Sequence, residues 1–320
     1  MQQYILKRLL VAIPVLIAVT IAVSALVRII PGDAVALRVA ESGYVSQDAI
    51  PAIKHELGLD RSFPAQYLSW VGGVVHGDFG DSFVTQSSTG ERLAKAIPIT
   101  LELAIIAMLV GLAVAIPIGI FSAVRQNSVG DYAGRIFSIA GLSVPDFIIA
   151  TLLIIYLAIY FKWTPPITYV SFFDSPTNNL KLMALPAVVL GWRFSSVVMR
   201  MVRSSMLEVL REDYIRTAWA KGLKERVVIA RHAVKNAFIP VITITGGQFG
   251  YLLGGAAIVE IIFNIPGVGY LTIQAIRQRD YPQLQANVMF LAVVTLLLNL
   301  LVDLSYGWFD PRVRYSATRA

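Results

Sequence analysis

Leu103 to Val124 reads LAIIAMLVGLAVAIPIGIFSAV, an uncharged run of 22 residues. A helix rises about 1.5 Å per residue, so this run reaches about 33 Å, enough to cross the roughly 30 Å apolar core of a bilayer. The rest of the chain has the same character. Of 320 residues, 56% are hydrophobic and only 15% charged, with mean hydropathy +0.67. A soluble domain carries about 25% charge. The composition therefore places this chain in a membrane.

Further runs flank the first. Leu9 to Val27 is uncharged, follows Lys7 and Arg8, and is followed by Arg28 and IIPGD. It is long for a signal-peptide core and no small-x-small cleavage pattern ends it cleanly, so an uncleaved first helix with its N-terminus inside is expected. After Val124 come 136–161, interrupted at Pro145-Asp146, then 182–201, weakened by Arg193, then Ile239 to Val259, rich in Gly and Thr, and Leu284 to Val302. The expected fold is all-α: a polytopic membrane protein of six transmembrane helices. It divides into an N-terminal helix (1–30), an outer helical segment (31–97) and a five-span core (98–320) with a cytoplasmic loop over 203–238.

Charge orients it. With the N-terminus inside, sixteen Lys/Arg fall on the inner side and ten on the outer. Five of the outer ten lie in 31–97, a segment long enough to translocate regardless of charge. Both termini are thus expected in the cytoplasm. The inner excess concentrates at Glu212 to Pro240, EDYIRTAWAKGLKERVVIARHAVKNAFIP. Asp213 can cap a short helix over 214–221, with Gly222 at the left-handed position beyond its end. Such a helix is about 12 Å long, the size of a lever that could take a push from a soluble partner. The net charge of +7 is explained by this loop; no interleaved aromatic-basic surface points to nucleic acid.

The outer segment shows amphipathic patterns. Ser46 can cap a helix over 47–57 carrying Ile50, Ile53 and Leu57 on one face. Pro64 can start another with Leu68, Val71 and Val75 in register. They either pack on the outer ends of the spans or form a gate or docking face. The 262–284 stretch repeats the design: a Pro-Gly turn, a short helix, then Pro282.

Catalytic signatures are missing. No phosphate loop, nucleophile elbow or close His pair occurs, and there is no Cys. The chain is expected to be a non-enzyme without a cofactor or metal of its own. Glu102, Asp146, Arg193, Glu260 and Asp303 lie in or near spans, where charge is costly. Glu102, Glu260 and Asp303 read as interfacial or paired structural charges. Asp146 and Arg193, with Gln248 in the fifth span, are candidate translocation-pathway residues. Gly246, Gly247, Gly250, Gly254 and Gly255 serve either ordinary helix packing or pairing with a second subunit.

Taken in order, KRLLVAIPVLIAV with IIPGDA (29–34), ELGLD (56–60), QYLSW (66–70), GDFGDSF (77–83), RSSMLEVLREDYIRTAWAKGL (203–223), HAVKNAFIPVIT (232–243), EIIFNIPGVGYL (260–271), RDYPQLQ (279–285) and LLVDLSYGWFDPRVRY (300–315) resemble the membrane-spanning subunits of binding-protein-dependent ABC importers, in particular the dipeptide/oligopeptide/nickel class. The resemblance runs nearly end to end. It implies a permease half of an ATP-driven peptide importer in a bacterial cytoplasmic (inner) membrane. The implied partners are a homologous second permease, two ATPase subunits that bind the ATP and Mg, and an extracytoplasmic solute-binding protein.

The resemblance makes 212–222 the coupling helix, with Glu212, Asp213, Tyr214, Arg216, Thr217, Ala218, Trp219, Lys221 and Gly222 as the ATPase-coupling residues. The broad importer motif opens Glu-Ala-Ala. Here Arg216-Thr217-Ala218 occupies those positions, a departure that points to the peptide/nickel class. Trp219 either anchors the ATPase groove or sits at headgroup level. Nickel chelates, glutathione, haem or oligosaccharides are alternative cargoes within the class. A secondary transporter, which needs no such lever, is the alternative outside it.

Overall fold

The computed structural model describes residues 2–29, 60–166 and 168–309, and side chains over 10–25, 60–166 and 168–302. The helix expected over 47–57 and the side chain of Asp303 lie outside these. The regular structure of the described residues is helical, with no strand beyond one isolated bridge between Asp81 and Ser88. The helices are α1 (Gln2–Ile29), α2 (Phe63–Val75), α3 (Thr89–Val124), α4 (Val129–Ser143), α5 (Asp146–Phe161), α6 (Pro176–Val209), α7 (Asp213–Ala220), α8 (Glu225–Gly255, with a π-helical turn at Val228–Ala233), α9 (Ala257–Ile262), α10 (Val268–Gln278) and α11 (Tyr281–Phe309).

Four of these are long and apolar enough to cross a membrane: α3, α6, α8 and α11 over Tyr281–Val302. The α4–α5 pair qualifies jointly, and α1 carries an apolar stretch over Leu10–Ala25. The expected third span is not straight. Its halves meet at 102°. Val144 before Pro145 is extended, with φ −93° and ψ 123°, the conformation proline imposes on its predecessor. Pro145 then serves as the N-cap position of α5. The other helices outrun their apolar cores: α6 begins at Pro176, and the fifth span extends back to Glu225, through residues the sequence reading left in a loop.

The chain forms two compact units. One comprises Met1–Tyr4, Ile97–Tyr270 and Thr295–Ala320. Its centre is α6, whose apolar window is 67% buried, with Met183, Leu190, Phe194, Val198, Met199, Val202 and Met206 shut from solvent. Helix α3 lies against it through a glycine contact. A Cβ on Gly191 would stand 2.8 Å from the Ala107 carbonyl, and one on Gly111 would stand 2.9 Å from that of Gly191. Only hydrogen at both positions lets the backbones approach this closely.

The second unit comprises Ile5–Ala96 and Leu271–Val294. It contains most of α1, all of α2, the 77–88 loop, the bulk of α10 and the start of α11. Phe63 is the first residue of α2 and Pro64 the next, as the proline rule expects. Leu68 and Val75 are 66% and 77% exposed. The apolar stripe of α2 thus faces away from this unit, and the opposite face, with Tyr67 and Trp70, faces it.

Candidate functional site

Helix α7 sits between α6 and α8 in the chain. Its N-cap position is Glu212, in extended conformation, with no side-chain cap bond. Asp213, expected as the cap, is instead the first helical residue, where its charge faces the positive end of the helix dipole. The C-terminus matches the sequence reading. Gly222 has φ +76°. The Gly222 amide donates to the Trp219 carbonyl at 2.9 Å and the Leu223 amide to that of Ala218 at 3.4 Å, the double bond of a Schellman stop.

The helix is asymmetric. Ile215 is fully buried and Ala218 nearly so. Glu212, Asp213, Tyr214, Arg216, Thr217, Trp219, Lys221 and Gly222 are exposed. Two apolar pins thus hold one face down while the other presents charge, a hydroxyl and an indole. Asn236 of α8 donates to the Tyr214 hydroxyl at 2.8 Å, tying the helix to the next span. Arg216 meets Asp213 at 3.4 Å with both side chains in solvent, a pair that contributes little to stability.

The candidate pathway residues lie on α5, α6 and α8. Arg193, mid-way along α6, places its guanidinium 5.0 Å from the Tyr251 ring of α8, a cation–π contact. Gln248 is half-buried three residues before that tyrosine, on the same helix. Asp146 stands in the first turn of α5 beyond the bend, and its Oδ1 is buried without a hydrogen-bond partner. Arg193 is close enough to act electrostatically on Asp146, without an ion pair between them.

Glu260 and Glu102 are held by hydrogen bonds within the protein. Glu260 is fully buried. It accepts from the Thr100 hydroxyl at 2.7 Å and the Tyr270 amide at 2.8 Å, so it caps α10. The Tyr169 hydroxyl donates to Glu102 at 3.1 Å. Burial first, and the Glu102 charge second, push that phenol up to about 12.

Two further buried carboxylates were not singled out from sequence. Asp131 accepts Arg203 through both guanidinium Nε and Nη2, at 2.8 and 2.9 Å, and also Ser122 and the Asn127 amide. Its partner is 72 positions away, which no local pattern encodes. The local signal was a capping box, Ser128-x-x-Asp131, in which Ser128 accepts from the Asp131 amide. Asp280 accepts from Ser82 at 2.5 Å, the Phe83 amide at 3.0 Å and Arg92 at 3.4 Å.

In the glycine-rich fifth span, a Cβ on Gly246 would strike Val302, and one on Gly250 would touch Leu298. Those two glycines serve packing within the chain. Gly247 and Gly254 face open space.

Comparison with known proteins covers the chain in two parts. The family described as "Binding-protein-dependent transport system inner membrane component" matches residues 115–315, and its N-terminal companion, "Binding-prot-dependent transport system membrane comp, N-term", matches 1–104. The dipeptide transport system permease protein DppB of Escherichia coli K12 is 40% identical over 338 aligned positions, covering 98% of this chain and 99% of that one. Among solved structures, inward-facing forms of the MetNI methionine ABC transporter superpose with TM-scores of 0.54 and 0.55. They cover 68% of this chain and 96% of theirs at 15% identity, a likeness of fold alone. Multi-pass, all-helical and matched over nearly its whole length, the chain belongs to the family of inner-membrane permease components of binding-protein-dependent transport systems.

Proposed function

We propose that this permease is one half of the membrane channel of an ATP-driven importer of di- or oligopeptides. The near end-to-end similarity to a dipeptide permease, at 40% identity, carries the substrate class. The permease itself performs no covalent chemistry and needs no cofactor. A homologous second permease completes the pathway, two ATPase subunits hold ATP and Mg, and a solute-binding protein delivers peptide from outside. The chain crosses the membrane six times, with the bent α4–α5 pair counted as one span and both termini in the cytoplasm. The divisions at 1–30, 31–97 and 98–320, with the 203–238 loop inside, follow from that topology.

The coupling residues are Glu212 to Gly222. Ile215 and Ala218 bury one face of α7, which packs on the start of α8 and is tied to it by Asn236, so a force on the exposed face moves α8 with it. ATP and the solute-binding protein must favour different states of the spans for transport to run. Asp146, Arg193 and Gln248 line the pathway. The test is uptake of a labelled dipeptide by cells lacking their own dipeptide permease and supplied with this chain and its transport partners. ATP-dependent uptake supports the reading. ATP-dependent uptake of a nickel chelate or an oligosaccharide without any of peptide would replace the substrate, and uptake without an ATPase would replace the mechanism.

A further inference from the structure

Within the second unit, α1, α2, the 78–83 loop and the start of α11 enclose a cavity of about 410 Å³, the size of a small-ligand site. Its lining is unusual in chemistry. The rings of Phe63, Tyr67, Trp70, Phe79, Phe83 and Tyr281 line it, together with the carboxylates of Asp78 and Asp81 and the guanidinium of Arg61. Ser24, Trp70 and Tyr281, also on its walls, each hold a buried polar atom (hydroxyl, indole N–H, phenol) without a hydrogen-bond partner. Buried polar groups are normally paired, so three orphans around one cavity call for an occupant.

The walls are fixed in advance. Asp280, buried beside Tyr281, accepts from the Ser82 hydroxyl, the Phe83 amide and Arg92 and so ties them together. The Asp78 carboxylate accepts from the Gly80 amide at 2.8 Å. Tyr67 stacks on Phe63 with centroids 6.3 Å apart, and its hydroxyl is hydrogen-bonded to Thr20 at 3.0 Å. Aromatic faces carry negative charge density and attract ammonium groups, which the two aspartates reinforce.

We propose that this cavity binds a small zwitterion with a free ammonium group, namely a short peptide, as a site separate from α7 and from the Arg193–Tyr251 contact. The inference rests on the peptide-import reading for its ligand and extends it by naming a binding site on this chain. On the proposed topology the cavity lies on the outer side, where peptide arrives.

The experiment uses the assembled transporter in lipid nanodiscs with the solute-binding protein omitted, titrated with L-alanyl-L-phenylalanine in a calorimeter. Saturable binding is expected. Asp81→Asn, at an exposed position that leaves the fold intact, weakens it about three- to tenfold. Trp70→Phe, which keeps a ring and removes the donor, weakens it as well. The N-acetylated dipeptide binds the wild type as weakly as the free dipeptide binds Asp81→Asn. No saturable binding to the wild type, unchanged affinity in Asp81→Asn, or equal affinity for the N-acetylated probe overturns the site. Peptide uptake by the complete transporter is measured beside it. Absent uptake sinks the functional reading, whereas the titration decides the cavity by itself.

Discussion

Asp131 shows how this chain handles charge at single residues. It is fully buried, yet every donor around it is aimed: a guanidinium in bidentate geometry, a hydroxyl and a backbone amide. Removing one partner of such a pair leaves the other charge without compensation, a loss of about 3–5 kcal/mol. Arg203→Met should therefore lower the melting temperature of the detergent-solubilised protein sharply. Asp131→Asn combined with Arg203→Met should cost less than the two single losses added, because the double variant strands no charge. Additive losses would mean the two residues do not stabilise each other. Glu260 calls for a different substitution. Both its oxygens face donors, so Glu260→Gln turns an amide N–H₂ toward an N–H or O–H. The expected cost is about 1–3 kcal/mol, read as lost thermal stability. Sequence reading expects Glu260 to be an interfacial or paired charge at a span end, whereas the structure buries it fully on the Thr100 hydroxyl and the Tyr270 amide. Sequence reading passes over Asp131 and Asp280 because their partners are remote in sequence, at Arg203 and at Ser82 and Arg92.

At the scale of elements, what was legible is what the bilayer forces. A span needs about 20 apolar residues, so each apolar core is visible as composition. The ends are not visible, because polar residues continue the helices into the interface, as Glu225 to Ile239 does before the fifth span. Pro145 marks the break in the sequence, but the 102° angle between the halves is not encoded in any local pattern. For α7, Gly222 was decisive: a left-handed residue stops the helix, and only glycine takes φ +76° without strain. Gly222→Ala should cost about 1–2 kcal/mol locally and loosen the Schellman stop. In the assembled transporter ATP hydrolysis should persist while peptide uptake falls. Arg216→Glu should act likewise by reversing charge on the exposed face, with insertion intact because the side chain lies in solvent, paired with the equally exposed Asp213. Wild-type uptake in both variants would remove α7 from the coupling path. Ile215→Asn should uncouple through the other face, by unpinning the helix, and should also lower thermal stability.

At the scale of the whole molecule the open question is parity. Four helices cross by length and composition, and α1 has the apolar content for a fifth. The α4–α5 pair, folded back by 102°, either passes through the membrane as a broken span or returns to the side it came from. The two cases differ at every residue after Phe161. If the pair crosses, the 162–175 connection is outside, α7 is inside, and the C-terminus is inside. If it is re-entrant, each of these is inverted, and the basic stretch from Arg200 to Lys235 is exposed outside, against the positive-inside rule. Irregular backbone at membrane depth is tolerated where protein covers it, so the bend itself fits both cases. Charge therefore decides, and it favours crossing. Reporter fusions after Asp174 and after Ala320 test this together. An outer signal at Asp174 with a cytoplasmic signal at Ala320 is expected. The reverse pair of signals would make α4–α5 a re-entrant hairpin, put α7 on the side without ATP, and end its role as the coupling helix.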